Sequence, residues 1–221
     1  MAFTRGANVV TDGLVLCLDA ANSKSYPGSG TTWRDLSGNN NSGSLVNGPT
    51  FSNDNGGGIL FDGSNDEVNL GNNAITQFSH TSAWTIFYFF KIVTFIPTFP
   101  GILVKGGASS VGVLMFYASD LALIWKHNNV QNVQFPKTTL GAPTCICMTY
   151  SGSGNVLGYF NGSYYSTFGT MAGTETSNNL LLGRGDAYGN NILYNFYKYN
   201  RALTAEEVQQ NYNAQKSRFN L

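Results

Sequence analysis

The chain has 221 residues, of which 42% are hydrophobic and only 11% charged, with twelve basic residues balancing twelve acidic ones. A soluble globular chain carries about 25% charged residues, so Asn, Ser, Thr and Gly must make a surface here that is polar without being ionic. Zero net charge leaves no electrostatic footprint for a polyphosphate or an anionic lipid, which argues against nucleic acid and membrane as partners.

All-β sandwiches of this length commonly form one unit, and no long linker interrupts the sequence. A single domain over residues 1–221 is expected, with its core at about 13–213. The amino terminus, Met-Ala-Phe-Thr-Arg-Gly-Ala-Asn, lacks the apolar stretch of a secretory leader, so synthesis and folding in a cytoplasm are expected. Cys17, Cys145 and Cys147 each sit in an apolar run, where a free thiol serves as a small core residue. Neither a disulfide framework nor a zinc site is expected from them.

Short apolar runs separated by Gly, Asn and Ser clusters recur throughout, the spacing of a two-sheet antiparallel sandwich. Residues 13–19 read as the first strand, 20–41 as a long polar loop anchored by Trp33, and 43–51 as a strand around Leu45 and Val46. Strands at 58–61 and 66–70 are joined through Asp62-Gly63-Ser64-Asn65, read as a tight hairpin. The most hydrophobic stretch runs from Trp84 to Pro100. It is interrupted by Lys91, stops at Pro97 and falls short of the ~20 apolar residues of a spanning helix. Its β-branched and aromatic content marks a long central strand covered on both faces, bent near Lys91.

A meander follows at 101–105, 111–117 and 121–126, with Ser119-Asp120 turning between the last two. Strands at 145–150 and 156–160 come next. Asn161-Gly162 is the strongest hairpin signal in the chain, because both residue types tolerate positive φ, and 163–168 returns along it. Strands at 180–183 and 192–199 finish the sheets. A helix closes the sequence: Thr204 caps it, Glu207 reaches back to the cap's amide, Leu203 staples onto Val208, and Val208 with Tyr212 forms a narrow apolar stripe away from Glu206 and Gln210.

In order along the chain, Gly13-Leu-Val-Leu-Cys-Leu-Asp19, Trp33-Arg-Asp-Leu-Ser-Gly-Asn39, Leu60-Phe-Asp-Gly-Ser-Asn-Asp66, Trp84-Thr-Ile, Tyr159-Phe-Asn-Gly162, Leu182-Gly-Arg184 and Asn200-Arg-Ala-Leu-Thr-Ala-Glu-Glu-Val resemble the laminin-G-like, concanavalin A-like jelly-roll superfamily. The first piece, the Ser-Gly-Asn-Asn-Asn turn and the Gln-Asn-Tyr-Asn-Ala ending are similar to modules in structural proteins of large tailed phages. The resemblance implies an all-β, two-sheet antiparallel jelly-roll sandwich with a short C-terminal helix. Its concave face would serve glycans, protein contact or oligomer packing. Some members hold calcium near the sandwich rim, and Asp19, Asp62 and Asp66 match the acidic positions. Calcium wants six to eight hard oxygens, whereas Asp62 and Asp66 also suit turns that bond their own backbone.

The same fold hosts glycoside hydrolases, which need two carboxylates facing one cleft. Their Glu-x-Asp-x-x-Glu strand is not found here: Asp66-Glu67 project to opposite faces, Glu206-Glu207 belong to the helix cap, and Glu175 and Asp186 lie in loops. His80 reads as a turn residue and His127 as a strand end, neither in a metal or triad spacing. The Arg-Gly-Asp of Arg184 to Asp186, the glycine runs near Gly28 and Gly56, and the Asn40 and Asn161 sequons are discounted as an integrin ligand, phosphate cradles and glycan acceptors respectively.

The first function expected is therefore non-enzymatic: a virion protein made in a host cytoplasm, decorating or cementing a capsid or contributing to a tail or fibre. Its partners would be major capsid or tail proteins and copies of itself, with a trimer suiting three-fold positions. The alternative is a carbohydrate-binding module in which Trp33, Trp125 or Tyr188 stacks on a sugar, though large aromatics of this kind also anchor cores. A glycoside hydrolase is the third reading.

Overall fold

A computed structural model of the chain describes residues 8–96, 99–106, 113–118, 120–127, 133–171 and 177–221. Their strands are β1 (Leu14–Asp19), β2 (Thr32–Trp33), β3 (Gly43–Val46), β4 (Thr50–Ser52), β5 (Gly58–Asp62), β6 (Glu67–Asn69), β7 (Ala83–Ile92), β8 (Gly101–Lys105), β9 (Val113–Tyr117), β10 (Ala122–His127), β11 (Val133–Lys137), β12 (Thr144–Ser151), β13 (Asn155–Phe160), β14 (Ser163–Thr170), β15 (Leu180–Leu182) and β16 (Asn190–Tyr199); the helix is α1 (Ala205–Gln215). One sheet runs β14-β13-β12-β7-β16-β5-β4, with β1 also on β16, and the other runs β11-β10-β9-β8-β15-β6-β3-β2. The strand pairs within them are antiparallel, and the architecture is the expected jelly-roll sandwich.

Strand β7 sits at the centre of the first sheet, and both its faces are buried. Trp84, Ile86, Tyr88, Phe90 and Ile92 enter the core between the sheets, while Phe87 and Phe89 point outward into a second apolar cluster. Such a strand reads as a continuous apolar run because neither face meets water. Cys145 and Cys147 of β12 lie on that outer side, free and buried, and burial pushes both thiols well above the usual range. Where β16 bulges between Leu193 and Asn195, the Asn195 Oδ1 accepts the Phe89 amide at 2.8 Å and keeps that buried donor satisfied.

Helix α1 covers the outer face. Thr204 accepts the Glu207 amide at 3.3 Å and the Glu207 carboxylate accepts the Thr204 amide at 2.9 Å, the reciprocal cap read from the sequence. Val208 is buried in the outer cluster beside Leu203, and Tyr212 stacks on Phe89 at 5.9 Å. Asn211 is buried too: its Oδ1 accepts the Val10 amide and its Nδ2 donates to the Tyr199 hydroxyl. Past the helix, Phe219 stacks on Phe89 at 4.3 Å and Arg218 donates to Asp19 at 2.9 Å and to the backbone of Asn55 and Gly57. Gly162, in the hairpin turn at φ +79°, leaves room for Tyr212, since a Cβ there would lie 2.5 Å from the ring.

The structure corrects four sequence expectations. Residues 43–51 are two strands in opposite sheets, β3 and β4, because Asn47 and Gly48 both take positive φ and turn the chain between them. Residues 62–66 are not a hairpin but a corner between sheets, β5 pairing with β16 and β6 with β3 and β15. The aromatic strand ends at Ile92, short of Pro100, and its neighbours at 97–98 lie outside the described residues. Strand β11 went unread because Pro136 interrupts its apolar pattern. The expected positions Val111, Ser119 and Glu175 lie outside the described residues.

Three measurements test this packing. Thr204→Ala, which removes the cap, should cost about 1 kcal/mol and lower the melting temperature by about 2–4 °C. Phe219→Ala should cost about 3–5 kcal/mol in urea unfolding, as for other buried Phe truncations. The Arg201 guanidinium holds the Glu207 carboxyl below the usual carboxylate range. Its contribution to stability is therefore present above about pH 4.3, the unfolded value, and is lost as pH falls through the lower folded value. Glu207→Gln keeps the cap geometry and should flatten that acid limb; an unchanged limb would refute the assignment.

Candidate binding surfaces

The three carboxylates matched to a calcium site do not come together. Asp19 and Asp62 flank the same edge of β16 opposite Asn195 and Asn190, five residues of strand and so about 17 Å apart. Asp19 pairs with Arg218. Asp62 and Asp66 hold the inter-sheet corner: Asp66 Oδ2 accepts the Asp62 amide at 3.0 Å and Asp62 Oδ1 accepts the Ser64 amide at 2.7 Å. Burial raises the Asp66 carboxyl, opposed by that backbone bond. Among the described residues no three His, Cys, Asp or Glu side chains gather as metal ligands, so this donor set does not fit calcium.

The aromatic candidates separate in the same way. Trp33 (0% exposed) and Trp125 (1%) are core residues between the sheets and offer no stacking face. Tyr188 is half-buried at the rim. The Arg184 guanidinium lies 4.7 Å from its ring centroid and donates to its hydroxyl and to Glu67, both at 3.2 Å. The arginine of the Arg-Gly-Asp triplet is thus held by its own domain.

A concavity of about 520 Å³ opens where β1, β7 and the end of β16 meet the 74–82 segment, with Gln77, Ser79, Trp84, Lys198 and Asn200 on its walls. Lys105 donates to Asn72 Oδ1, which fixes that amide, and Gln77 Nε2 donates to the same oxygen at 2.6 Å. Gln77 is thereby oriented with its Oε1 buried and without a hydrogen-bond partner among the described residues. The Lys198 ammonium sits 3.7 Å from the Phe78 centroid. Trp84 and Asn200 open two of the segments that carry the resemblance, whereas Asn72, Gln77, Ser79 and Lys198 belong to no motif and the sequence offered no signal for them. His127 ends β10, where burial and the neighbouring His80 lower it to about 4, while the His80 carbonyl accepts the Tyr150 hydroxyl.

Most of the other described carboxylates are engaged as well. Asp54 meets Lys91 and the Tyr194 hydroxyl, Glu67 meets Arg184, Asp120 meets Lys137, and Asp12 and Glu207 share Arg201. Asp35 accepts the amides of Cys17, Ser37 and Asn41.

Among solved structures the fold is similar to the binding domain of Paraclostridial Mosquitocidal Protein 1, at 16% identity and TM-score 0.75, covering 92% of this chain and 52% of that one. It is also similar to the binding domain of botulinum neurotoxin serotype D (14%, TM-score 0.74, 94% and 53%) and to a Trypanosoma rangeli sialidase mutant displaying trans-sialidase activity (14%, TM-score 0.74, 96% and 34%). The chain spans about half the length of the toxin domains and about a third of the sialidase, and at these identities the likeness is one of fold. No curated protein matches the sequence. The model of the family described as the concanavalin A-like lectin/glucanases superfamily, Laminin_G_3, matches residues 62–209. With that match across most of a two-sheet jelly roll, the chain belongs to the concanavalin A-like lectin/glucanases superfamily.

Proposed function

We propose that this jelly roll is a non-enzymatic adhesion module of a virion, decorating a capsid or forming part of a tail or fibre, made in the host cytoplasm and working by surface contact. The observation that carries the non-enzymatic part is the engagement of most of the described carboxylates. Glycoside hydrolysis needs one carboxyl kept protonated and another free across a cleft. Here Asp19, Asp54, Glu67, Asp120 and Glu207 face cations, and Asp35, Asp62 and Asp66 accept backbone amides. The virion part rests on the sequence likeness to phage structural modules. A surface that is polar but sparsely charged suits wide, wet contacts in which Tyr supplies area and a hydroxyl.

A lectin-like reading has one observation in its favour. Tyr188 stands at the rim with its ring held by Arg184, a braced aromatic of the sort that stacks on a sugar face.

The test is a screen of the purified chain against polysaccharides and sialosides, sialosides because one fold relative displays that chemistry. No sugar release above the buffer blank is expected. Release that disappears with Asp62→Asn, Asp66→Asn or Glu67→Gln would overturn the non-enzymatic reading. A glycan array bound by the wild type and not by Tyr188→Ala would select the lectin reading, and mass spectrometry of purified particles lacking the chain would remove the virion assignment.

A further inference from the structure

Three Asn-Gly pairs occur in the sequence, at 47–48, 55–56 and 161–162. An asparagine followed by glycine is open to attack on its own side chain. The glycine amide nitrogen can close a five-membered ring on Cγ, and without a Cβ on the following residue nothing crowds the approach. The reaction needs that nitrogen free of a hydrogen bond and the side chain free to turn, and the fold meets these conditions unequally.

Asn55 and Asn161 are held. The Gly56 amide donates to the Asn53 carbonyl at 3.2 Å, and Asn55 Nδ2 donates to the Tyr194 hydroxyl at 2.9 Å and to Asp54 at 3.2 Å. Asn161 is tied to Cys145 twice, its amide donating to the Cys145 carbonyl and its Oδ1 accepting the Cys145 amide, both at 2.9 Å, while Gly162 is buried against the Tyr212 ring. Turning the Asn161 side chain away would strand the amide of a buried residue, which is costly. Asn47 and Gly48, by contrast, are both exposed. They turn the chain from β3 to β4 at φ +67° and +105°, and the Gly48 amide has no hydrogen-bond partner among the described residues. The Asn47 side chain makes one bond, from Nδ2 to the Asn65 carbonyl at 2.8 Å, at the surface, where water can take its place.

We propose that Asn47 is a site of spontaneous deamidation that loosens the corner between the two sheets as the protein ages. The Gly48 nitrogen gives up its proton to solvent base and forms a bond to Asn47 Cγ; the Cγ–Nδ2 bond breaks and Nδ2 leaves as ammonia, giving a succinimide. Water then adds across one of the two ring C–N bonds, yielding aspartate or, with the backbone rerouted through the side chain, isoaspartate. Nothing is oxidised or reduced, and water is the sole co-reactant. Either product removes the Nδ2 donor from the Asn65 carbonyl and adds a negative charge to a corner that already holds Asp62 and Asp66, with Asp66 Oδ1 4.0 Å from where a Cβ at Gly48 would lie. Isoaspartate also lengthens the link between β3 and β4, which pair in opposite sheets. The reaction is independent of what the domain adheres to, and its failure would leave the proposed function standing.

The experiment is incubation of the folded full chain at mildly alkaline pH, followed by peptide mass mapping and isoaspartate-specific methyl labelling. Asn47 should convert at least about tenfold faster than Asn55 or Asn161, which must first open locally. In urea at the same pH the folded-state difference is gone, and the three pairs should convert at similar rates. Asn47→Gln would have to close a larger ring and should remove the fast labelling from the folded chain. The aged wild type should melt about 2–4 °C below the fresh chain, as for a lost hydrogen bond, and the aged Asn47→Gln chain should not shift. Asn55 or Asn161 converting as fast as Asn47 in the folded chain, or Asn47 intact after the urea-unfolded chain has fully converted, would overturn the site. An unchanged melting temperature after full conversion at Asn47 would overturn the loosening.

Discussion

Everything else in this fold follows from having to cover β7 on both faces. A ten-residue strand with Trp84, Tyr88 and Phe90 on one side and Phe87 and Phe89 on the other has no face that tolerates water. The second sheet covers the first side. The other requires a separate layer, and α1 with the segment ending at Phe219 provides it. Burying a Phe or Leu side chain is worth about 1.5–3 kcal/mol, so an exposed Phe87–Phe89 face would be costly and aggregation-prone. The terminal helix is therefore a second wall of the core, although its own apolar stripe is narrow.

Polar groups complete that wall. Asn211 ties the helix to Val10 and Tyr199, and Arg218 ties the tail to Asp19 and the 55–57 backbone, bringing segments some two hundred residues apart in sequence into one layer. A buried donor left without a partner costs more than the paired bond contributes. These side chains thus specify where the helix lies as much as they hold it there. Most of the described carboxylates serve the same end: bound to cations and backbone amides, they fasten corners and caps.

Much of this was legible in the residues. The helix start could be read because Thr204 and Glu207 interact within one turn, a chemistry independent of the rest of the fold. The Asn161-Gly162 hairpin could be read because both positions need positive φ, and β7 because a two-faced apolar run of ten residues has few other uses. The sheet corner at 62–66 could not, because the same Asp-Gly-Ser-Asn wording serves a hairpin and an inter-sheet turn equally. Trp33 and Trp125 were open between stacking platform and core, since a lone Trp carries no mark of which it is. The wall around Gln77 and Lys198 was invisible, being assembled from separate segments with no motif.

Alone, the sequence determined the local elements, the paired-sheet class and the uncharged character of the surface, because these depend on propensity, periodicity and composition within a few residues. Only the tertiary structure decided which sheet each short strand joins, which aromatics face water, and that Asp19 and Asp62 lie apart along a shared edge, opposite Asn195 and Asn190. Those outcomes depend on contacts between residues far apart in the chain, where distance and register, rather than residue type, set the chemistry.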